Sequence, residues 1–452
     1  RIRWDLSEKS YDAFRRWRSP NQQLASNNPL FQIEGTGVLK IQVSPFSIPL
    51  KDQGEGFPKP EFQLFGSRFD AAVQIDGLKL KHGQTGAVAE LEKFTFDISK
   101  DQVGSNPLTF DFDGNVTPFG KGKSGVVQGR GTIKDFLSPQ GALDFKDVTT
   151  SIHARVRNLP TIFVDALSKF DQASGFPPSA FLGDLFNATF DAEVEKSQGK
   201  ITMDVDASAC RASFAGIVSD GTLYLHDPLK AAFTITPQLN NVLEKSAKLV
   251  VVAMEKPVTL YIHDEGFHVP LKNLHIRNMS FKYGQLDLGQ IICQNVGSTS
   301  AVGGLFKSKD RGNVSLWFAP ADFSMNRGNV YVDRTEVLYN HAYQVCLWGD
   351  VFFPRRTVDM TLGLTAQALR SALGIQGIDD NYVLKVPVEG PFGNVQIDTA
   401  SATAKIAFLV AQKHIAPQTG IWGQVLGAVG SLADDQSDVP PPKPPFPWQA
   451  RP

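Results

Sequence analysis

Residues 108–113 read LTFDFD, and this strict alternation of apolar and polar side chains decides the fold. The same period of two recurs at residues 201–206 (ITMDVD) and at residues 359–364 (DMTLGL). A period of two places successive side chains on opposite faces of a β-strand, one apolar and one wet. Many such strands in series build a long, half-apolar sheet that must either pack on itself or hold something apolar.

Residues 31–147 are predicted to be nearly all strand. The connections between these strands are short and rich in Gly and Asn, as at residues 113–115 (DGN), where we predict a turn. This spacing favours antiparallel meanders. The strands are predicted at residues 38–43, 71–75, 78–80, 94–98, 108–112 and 126–133.

The rest of the chain continues in strands interrupted by a few short helices, so the fold class is mostly β. The helices follow prolines or show apolar residues at helical spacing, and one of them ends at Gly374, a plausible C-cap. They are predicted at residues 161–170, 179–187, 237–252, 365–373 and 400–413.

The chain of 452 residues is too long for one ordinary core, and we divide it into five segments. Residues 414–452 form an apolar and then proline-rich tail, expected as a flexible spacer. The remaining segments are a linker or short helix at 1–30, a β-rich segment at 31–150, a β-rich segment with interrupting helices at 151–310, and a β domain with a closing helix at 311–413.

Composition excludes some classes of function. The net charge is -1, from 45 basic and 46 acidic residues, whereas a general nucleic-acid binder would carry a basic excess. Cys210, Cys293 and Cys346 match no zinc spacing and are predicted to be buried or partly buried free thiols. We therefore predict no metal, no cofactor and no nucleic-acid partner.

The chain carries no catalytic motif that we recognise, and we predict that it is not an enzyme. Gly122-Lys123-Ser124 resembles the end of a phosphate-binding loop but lacks the earlier glycine and lies between strands. His263, His268 and His275 are predicted to be surface residues, because their spacing matches no common ligand set. Gly35-Thr36-Gly37 is predicted to be a turn or bulge.

The C-terminal third resembles the closing domain of AsmA-like proteins. The resemblance rests on residues 329–335 (NVYVDRT), 346–351 (CLWGDV), 358–362 (VDMTL) and 386–398 (VPVEGPFGNVQID) and on the helix that follows. Residues 159–271, with their GFHVPL turn, are similar to the middle regions of large AsmA-type proteins. The resemblance covers roughly residues 150–452, and its short motifs specify strand ends and turns instead of a chemical site.

This resemblance implies an elongated, strongly curved antiparallel sheet, a β-groove with an apolar interior. It implies a periplasmic, non-enzymatic protein that conducts phospholipids between the inner and outer membranes of a Gram-negative-type envelope. A segment missing from this chain is expected to anchor it to the inner membrane. Partners would be phospholipids, both membranes and other envelope proteins, and the family implies no catalytic residues.

Transfer energies agree with this interpretation. Exposing a chain of about sixteen carbons to water costs roughly 0.8 kcal/mol per methylene, or about 13 kcal/mol in all. A continuous apolar groove cancels most of that cost. We predict that the groove is lined by Phe94, Phe96, Ile98, Leu108, Phe110, Phe112, Ile201, Met203, Val205, Leu223, Leu225, Phe233, Ile235, Leu260, Ile262, Val345, Leu347, Met360, Leu362 and Leu364.

Other interpretations stay open at this point. Each lining residue belongs equally well to a packed sandwich core without cargo. The protein could instead be a scaffold that offers strand edges to nascent outer-membrane proteins by β-augmentation. A carbohydrate-active enzyme would need two carboxylates facing each other across a cleft, and the paired Asp204 and Asp206 fit a solvated edge better.

Overall fold

The structure is a computed structural model of the chain. It describes residues 2–6, 31–47, 68–82, 86, 88–100, 107–118, 124–135, 148–167, 177–271, 275–306, 312–412 and 436–449. Residues 7–30 of the segment predicted as a linker or short helix, residues 414–435 and the Gly122-Lys123 pair lie outside the described residues. Within the described part of the chain, no helix combines the length and apolar character needed to cross a bilayer.

The fold is mostly β, as the alternation predicts. The first strands are β1 (Ile2–Leu6), β2 (Phe31–Glu34), β3 (Gly37–Ser47), β4 (Arg68–His82), β5 (Val88–Lys100), β6 (Leu108–Pro118), β7 (Gly125–Lys134), β8 (Thr149–Pro160), β9 (Leu185–Glu195), β10 (Gln198–Ala207), β11 (Cys210–Ser219) and β12 (Thr222–Leu225). The later ones are β13 (Leu229–Phe233), β14 (Val251–Met254), β15 (Val258–Ile262), β16 (Val269–Pro270), β17 (Phe281–Asp287), β18 (Gln290–Cys293), β19 (Val314–Phe318), β20 (Ala321–Asn326), β21 (Asn329–Tyr339), β22 (Tyr343–Phe352), β23 (Thr357–Thr365), β24 (Val383–Pro391) and β25 (Gln396–Ile397).

Short helices lie between the strands. The side chain of Thr236 caps the N-terminus of one helix by accepting from the Leu239 amide, and Gly374 ends another in the left-handed conformation, at φ 65°. The helices are α1 (Thr161–Leu167), α2 (Pro178–Leu182), α3 (Pro237–Ala247), α4 (Gly297–Leu305), α5 (Ala366–Leu373) and α6 (Thr399–Gln412).

The chain forms two compact units. The N-terminal unit contains residues 1–229 and 268–274, and the C-terminal unit contains residues 230–267 and 275–452. The segment boundaries predicted at 150 and 310 fall inside these units, and no boundary was predicted near Leu229.

The N-terminal unit is an antiparallel meander, as predicted, although 20 residues separate β3 from β4 and 14 separate β7 from β8. Strands β3 to β12 pair in the order in which they occur along the chain, β1 pairs with β3, and β16 pairs with β12. Strand β2 continues β3 along β4 across the predicted bulge at Gly35 and Thr36. No pairing in the described residues joins β1 to β16, so this sheet is open.

The prediction of a turn at Asp113-Gly114-Asn115 is wrong, because these residues lie inside strand β6. Asp113, Gly114 and Asn115 pair with Thr95, Phe94 and Lys93 of β5. The ring of Phe94 lies over Gly114, where an added Cβ would come 2.8 Å from Phe94 Cδ2. Gly114 is therefore a place where an aromatic side chain covers the backbone of the neighbouring strand, and this close approach explains why glycine stands inside a strand.

Two helix predictions overrun their elements. Residues 185–187 begin strand β9, so the helix predicted to Asn187 ends at Leu182. The helix predicted to Val252 ends at Ala247, because Lys248 takes the left-handed conformation at φ 52° and closes the last turn. The apolar residues near helical spacing thus continue past the end of the helix and into strand β14, which is why the prediction overran.

The C-terminal unit has a closed hydrophobic core between strands and helices. Buried residues of β19, β21, β22, β23 and β24 pack against residues from α4, α5 and α6. Leu364, Leu369 and Leu384 are fully buried at its centre. The two helices predicted at 365–373 and 400–413 are present as α5 and α6, and they cover this face of the sheet.

The first testable prediction concerns this core. Replacing Leu384 by alanine leaves a cavity among buried neighbours and is expected to lower the free energy of unfolding by about 2–5 kcal/mol. Replacing Val252, which is 51% exposed, by alanine is expected to change it by less than about 0.5 kcal/mol. Urea unfolding of both variants, followed by tryptophan fluorescence, measures the difference, and equal losses would contradict a closed core at Leu384.

Residues 436–449, the described part of the proline-rich tail, contact the C-terminal unit. Residues 436–449 lie on the sheet face of the C-terminal unit that is opposite the helix-covered core. Val439 packs against Cys346, Trp348 and Val383, and Phe446 is 6% exposed. Composition did not predict these contacts, because prolines disfavour regular structure but do not prevent an irregular segment from docking on a matching surface.

Candidate functional site

The candidate site is one face of the meander in the N-terminal unit. The strand register aligns side chains into three consecutive rows that cross the nine strands from β3 to β11. Every position in these rows is apolar or glycine. The first row is Leu39, Ile75, Phe94, Gly114, Val127, Val156, Ala188, Val205 and Ala212; the second is Ile41, Val73, Phe96, Phe112, Gly129, Ala154, Phe190, Met203 and Phe214; the third is Val43, Ala71, Ile98, Phe110, Gly131, Ile152, Ala192, Ile201 and Gly216.

The opposite face of the same strands is polar. One of its rows contains no apolar residue at all: Lys40, Gln74, Thr95, Asp113, Gln128, Arg155, Thr189, Asp204 and Ser213. Ion pairs join side chains on this face, as between Lys40 Nζ and Asp76 Oδ2 at 2.6 Å. The contrast between the faces is that of an antiparallel sheet with one solvated side.

The apolar face keeps substantial solvent accessibility. Val43 is 44% exposed and Met203 is 39% exposed, although they lie on strands far apart in the meander. Between them, Phe96, Phe112 and Phe190 are half-buried, whereas the corresponding side chains of a sealed core would be buried. We define this surface, made of the three rows, as the apolar face.

Aromatic rings and glycines are matched across neighbouring strands of the apolar face. A Cβ added at Gly129 would come 2.4 Å from Phe112 Cζ, and one added at Gly131 would come 2.5 Å from Phe110 Cζ. The rings of Phe110 and Phe112 therefore lie over the backbone of β7 instead of standing away from the sheet. The rings of Phe96 and Phe110 stack with centroids 6.4 Å apart. The result is a surface of ring faces and methyl groups, with the backbone of the glycines beneath the rings.

A small packed core closes the apolar face at one end of its strands. Ile162 and Phe163 of α1 pack there against Leu91 and Val116, which continue the apolar side of β5 and β6. Helix α2 is tied to α1 because the Ser179 amide donates to Asp165 Oδ1 at 2.9 Å. Helices α1 and α2 therefore lie along the row that begins at Leu39.

A lysine stands at the other end of strand β5. Lys100 follows Ile98 on the apolar side and lies opposite Leu108, and it is 3% exposed. Burial lowers the pKa of its ammonium group. Sequence analysis did not single out this residue, although the period of two places it on the apolar side.

The structure brings together eleven of the predicted lining residues in the N-terminal unit. Eight of them lie within the three rows, at Phe94, Phe96, Ile98, Phe110, Phe112, Ile201, Met203 and Val205. Leu108 lies one position beyond the third row, beside Lys100. Leu223 and Leu225 continue the same side onto β12, opposite Val218 and Gly216, and Leu225 is buried.

The predicted lining residues of the C-terminal unit do not form a comparable open surface. Val345, Leu362 and Leu364 are buried in the closed core, and Ile235 and Leu347 pack against it. Ile262 is buried too, at 8% exposure, and Phe233, Leu260 and Met360 are half-buried. For the core residues the packed interpretation replaces that of a groove, because helices α4, α5 and α6 cover the strands.

Several members of the apolar face were missed from the sequence. Val73, Ile152, Val156, Phe190 and Phe214 all belong to the three rows. The alternation at residues 152–156 already indicated a strand with an apolar side. The glycines of β7 carried no such signal, since only the register shows that they lie beneath phenylalanine rings.

The other motifs of the sequence occupy ordinary surface or core positions. His263 Nδ1 lies 2.9 Å from Asp264 Oδ1, and Asp206 forms an ion pair with Arg211 at 3.0 Å. Cys293 and Cys346 are buried free thiols and Cys210 is partly buried, as predicted. Among the residues that the structure describes, no group of three or more His, Cys, Asp or Glu side chains is placed to hold a metal ion.

Comparison with known proteins identified no match to this chain. No family model, no curated protein and no solved structure matches the chain. Function is therefore argued from the apolar face itself.

Proposed function

We propose that the protein binds phospholipid acyl chains on the apolar face of its N-terminal unit and conducts them along it. The observation that supports this proposal is the unbroken apolar or glycine character of three rows across nine strands, together with their accessibility. A surface that only needed to pack on another element would be buried. A surface that faced only water would not keep every position apolar.

The dimensions of the apolar face suit an acyl chain. Neighbouring strands lie about 4.8 Å apart, so eight spacings give a path of about 38 Å across the strands. The hydrocarbon core of a bilayer is about 30 Å thick, so one leaflet's chains extend about 15 Å. A lipid tail lying across the strands thus meets apolar surface over its full length and still has room to move.

The chemistry of the rows favours sliding over fixed binding. Apolar burial is non-directional and scales with contact area, so a displaced chain exchanges one set of contacts for an equivalent one. The three rows contain no charged side chain that would hold a headgroup at one place. The lipid headgroup would remain in water while the tails move from strand to strand.

The cellular setting follows from the resemblance to AsmA-like proteins. We propose that the protein is periplasmic and acts between the inner and outer membranes of a Gram-negative-type envelope. Membership of that family, the strong curvature of the sheet and the identity of the lipid are part of this proposal.

The direct test is lipid retention by the delipidated full chain. We expect native mass spectrometry to detect phospholipid adducts after incubation with phosphatidylethanolamine. Free palmitate should compete for this binding, whereas glycerophosphate, which has the headgroup chemistry without tails, should not. Absence of adducts, or displacement by glycerophosphate alone, would refute binding through acyl chains.

Photocrosslinking separates lipid conduction from the scaffold alternative. A photoreactive residue in place of Phe112 lies on the apolar face, and one in place of Asp113 lies on the polar face of the same strand. Lipid conduction predicts lipid crosslinks from position 112 and none from position 113. Crosslinks to unfolded outer-membrane protein chains, without lipid, would favour strand augmentation instead.

A further inference from the structure

The strongest unexplained feature of the C-terminal unit is the surface beneath the proline-rich tail. We propose that this surface is a recognition site for a proline-rich polypeptide segment that carries one lysine followed by an aromatic pair. In this structure the tail of the same chain, residues 436–449, occupies the site as a built-in, displaceable ligand.

Charge complementarity fixes the centre of the tail. Lys443 Nζ lies 2.9 Å from Asp322 Oδ2 and 2.7 Å from Asp333 Oδ2, so one cation bridges two carboxylates from different strands. Tyr283 and Gln285 both donate to Asp322 Oδ1, at 3.0 Å each. The Asp322 carboxylate is therefore held in place by neighbouring side chains of the unit as well as by the lysine.

Backbone and apolar contacts hold the rest of the tail. Arg334 Nη1 donates to the Pro440 carbonyl at 2.8 Å. The side-chain amide of Gln436 accepts from the Val383 amide at 2.9 Å and donates to the Val383 carbonyl at 3.1 Å. Because a proline has no amide hydrogen, such a segment offers its carbonyls and ring faces, and these are the groups that an arginine and apolar side chains can recognise.

Aromatic side chains anchor the distal end. Phe446 and Trp448 stack with centroids 5.3 Å apart, and Trp448 meets Trp317 edge-on at 6.1 Å. Aromatic-lined surfaces are the usual means by which proteins bind proline-rich segments. Residues 440–447 contain six prolines, which limit the conformational entropy that docking removes.

A natural reporter lies under the tail. Cys346 belongs to the small buried cluster on which Val439 packs, is 0% exposed, and has its pKa raised to about 12 by burial. Release of the tail would uncover this thiol, whereas Cys293 lies in the closed core of the unit and would stay protected.

The experiment uses the full chain with Lys443→Glu, which places a carboxylate against Asp322 and Asp333. With Cys210 and Cys293 replaced by serine, we expect Cys346 to react with N-ethylmaleimide at least tenfold faster than in the same chain with Lys443 intact. Lys256→Glu, which reverses the charge of another ion-paired lysine of the unit, serves as the matched control and should leave the rate unchanged.

A synthetic peptide of residues 436–449 then tests recognition directly. We expect the labelled peptide to bind the Lys443→Glu chain saturably in fluorescence anisotropy and to slow Cys346 alkylation again. The same peptide with glutamate at the lysine position should not bind, and Asp322→Asn with Asp333→Asn should abolish binding. An unchanged alkylation rate in the Lys443→Glu chain, or failure of the peptide to bind and protect, would overturn the proposal.

The reactivity of Cys293 reports separately whether the C-terminal unit of the variant stays folded. In the Lys443→Glu chain with Cys210 and Cys346 replaced by serine, Cys293 should stay unreactive. Reaction of Cys293 at the rate seen for Cys346 would mean that the unit has opened as a whole, and this result would also contradict a displaceable tail.

Discussion

Replacing Phe96 by glutamate is expected to reduce phospholipid retention by the N-terminal unit at least about tenfold, which corresponds to about 1.4 kcal/mol. Phe96 lies in the second of the three rows, between Val73 and Phe112, and its ring stacks on that of Phe110. The substitution removes apolar contact area and places a carboxylate where an acyl chain would lie. A charge cannot be desolvated by hydrocarbon without a large cost, so the chain is expected to leave the strands around it.

Thr95→Glu provides the matched control for this experiment. Thr95 is the preceding residue of the same strand, and its side chain lies on the polar face beside Asp113. We expect it to bind lipid like the unmodified chain in native mass spectrometry. Equal losses for Thr95→Glu and Phe96→Glu would point to a general effect of charge, and unchanged retention in both would remove the apolar face from the mechanism.

The second large effect is expected at the buried ion pair of the C-terminal unit. Arg334 Nε donates to Glu336 Oε1 at 2.6 Å, and the two side chains are 6% and 2% exposed. Gln344 Nε2 donates to the other oxygen of Glu336 at 2.8 Å. Each charge is thus stabilised by a partner and has almost no access to water.

Removing one member of this pair leaves the other charge buried without it. Arg334→Met and Glu336→Leu are each expected to lower the free energy of unfolding by about 3–5 kcal/mol. The double replacement should cost much less than the sum, because apolar residues of similar volume replace both charges. Arg334→Met is also expected to loosen the tail, since Arg334 donates to the Pro440 carbonyl.

Urea unfolding of the four chains forms a double-mutant cycle for Arg334 and Glu336. A coupling energy of at least about 2 kcal/mol is expected between the two replacements. Additive effects, or single losses below about 1 kcal/mol, would show that the pair is screened by water and that its burial under the tail is incomplete.

The two units show how one sequence pattern leads to different structures. Alternation at residues 108–113 and at residues 359–364 predicted an apolar strand side in both places, and both strands have one. Phe112 is half-buried on the apolar face, whereas Leu364 is 0% exposed beneath α5. The pattern alone did not distinguish a surface from a core.

Errors of the sequence-based analysis have identifiable physical causes. Gly114 was expected in a turn because glycine and asparagine are common there, but pairing with β5 and coverage by Phe94 keep it in a strand. The tail was expected to be a spacer because composition describes a segment without its surroundings. Its lysine meets two aspartates from strands more than a hundred residues away in the sequence.

The sequence by itself determined the mostly β fold, the antiparallel meander of the N-terminal unit and the side chains that share a face of each strand. These are local properties, because the direction of successive side chains and the length of a connection depend on neighbouring residues alone. Only the tertiary structure decided which apolar sides are covered, how the glycines of β7 meet Phe110 and Phe112, and where the tail docks. Those features depend on strand register and on contacts between distant segments, which no local pattern of residues specifies.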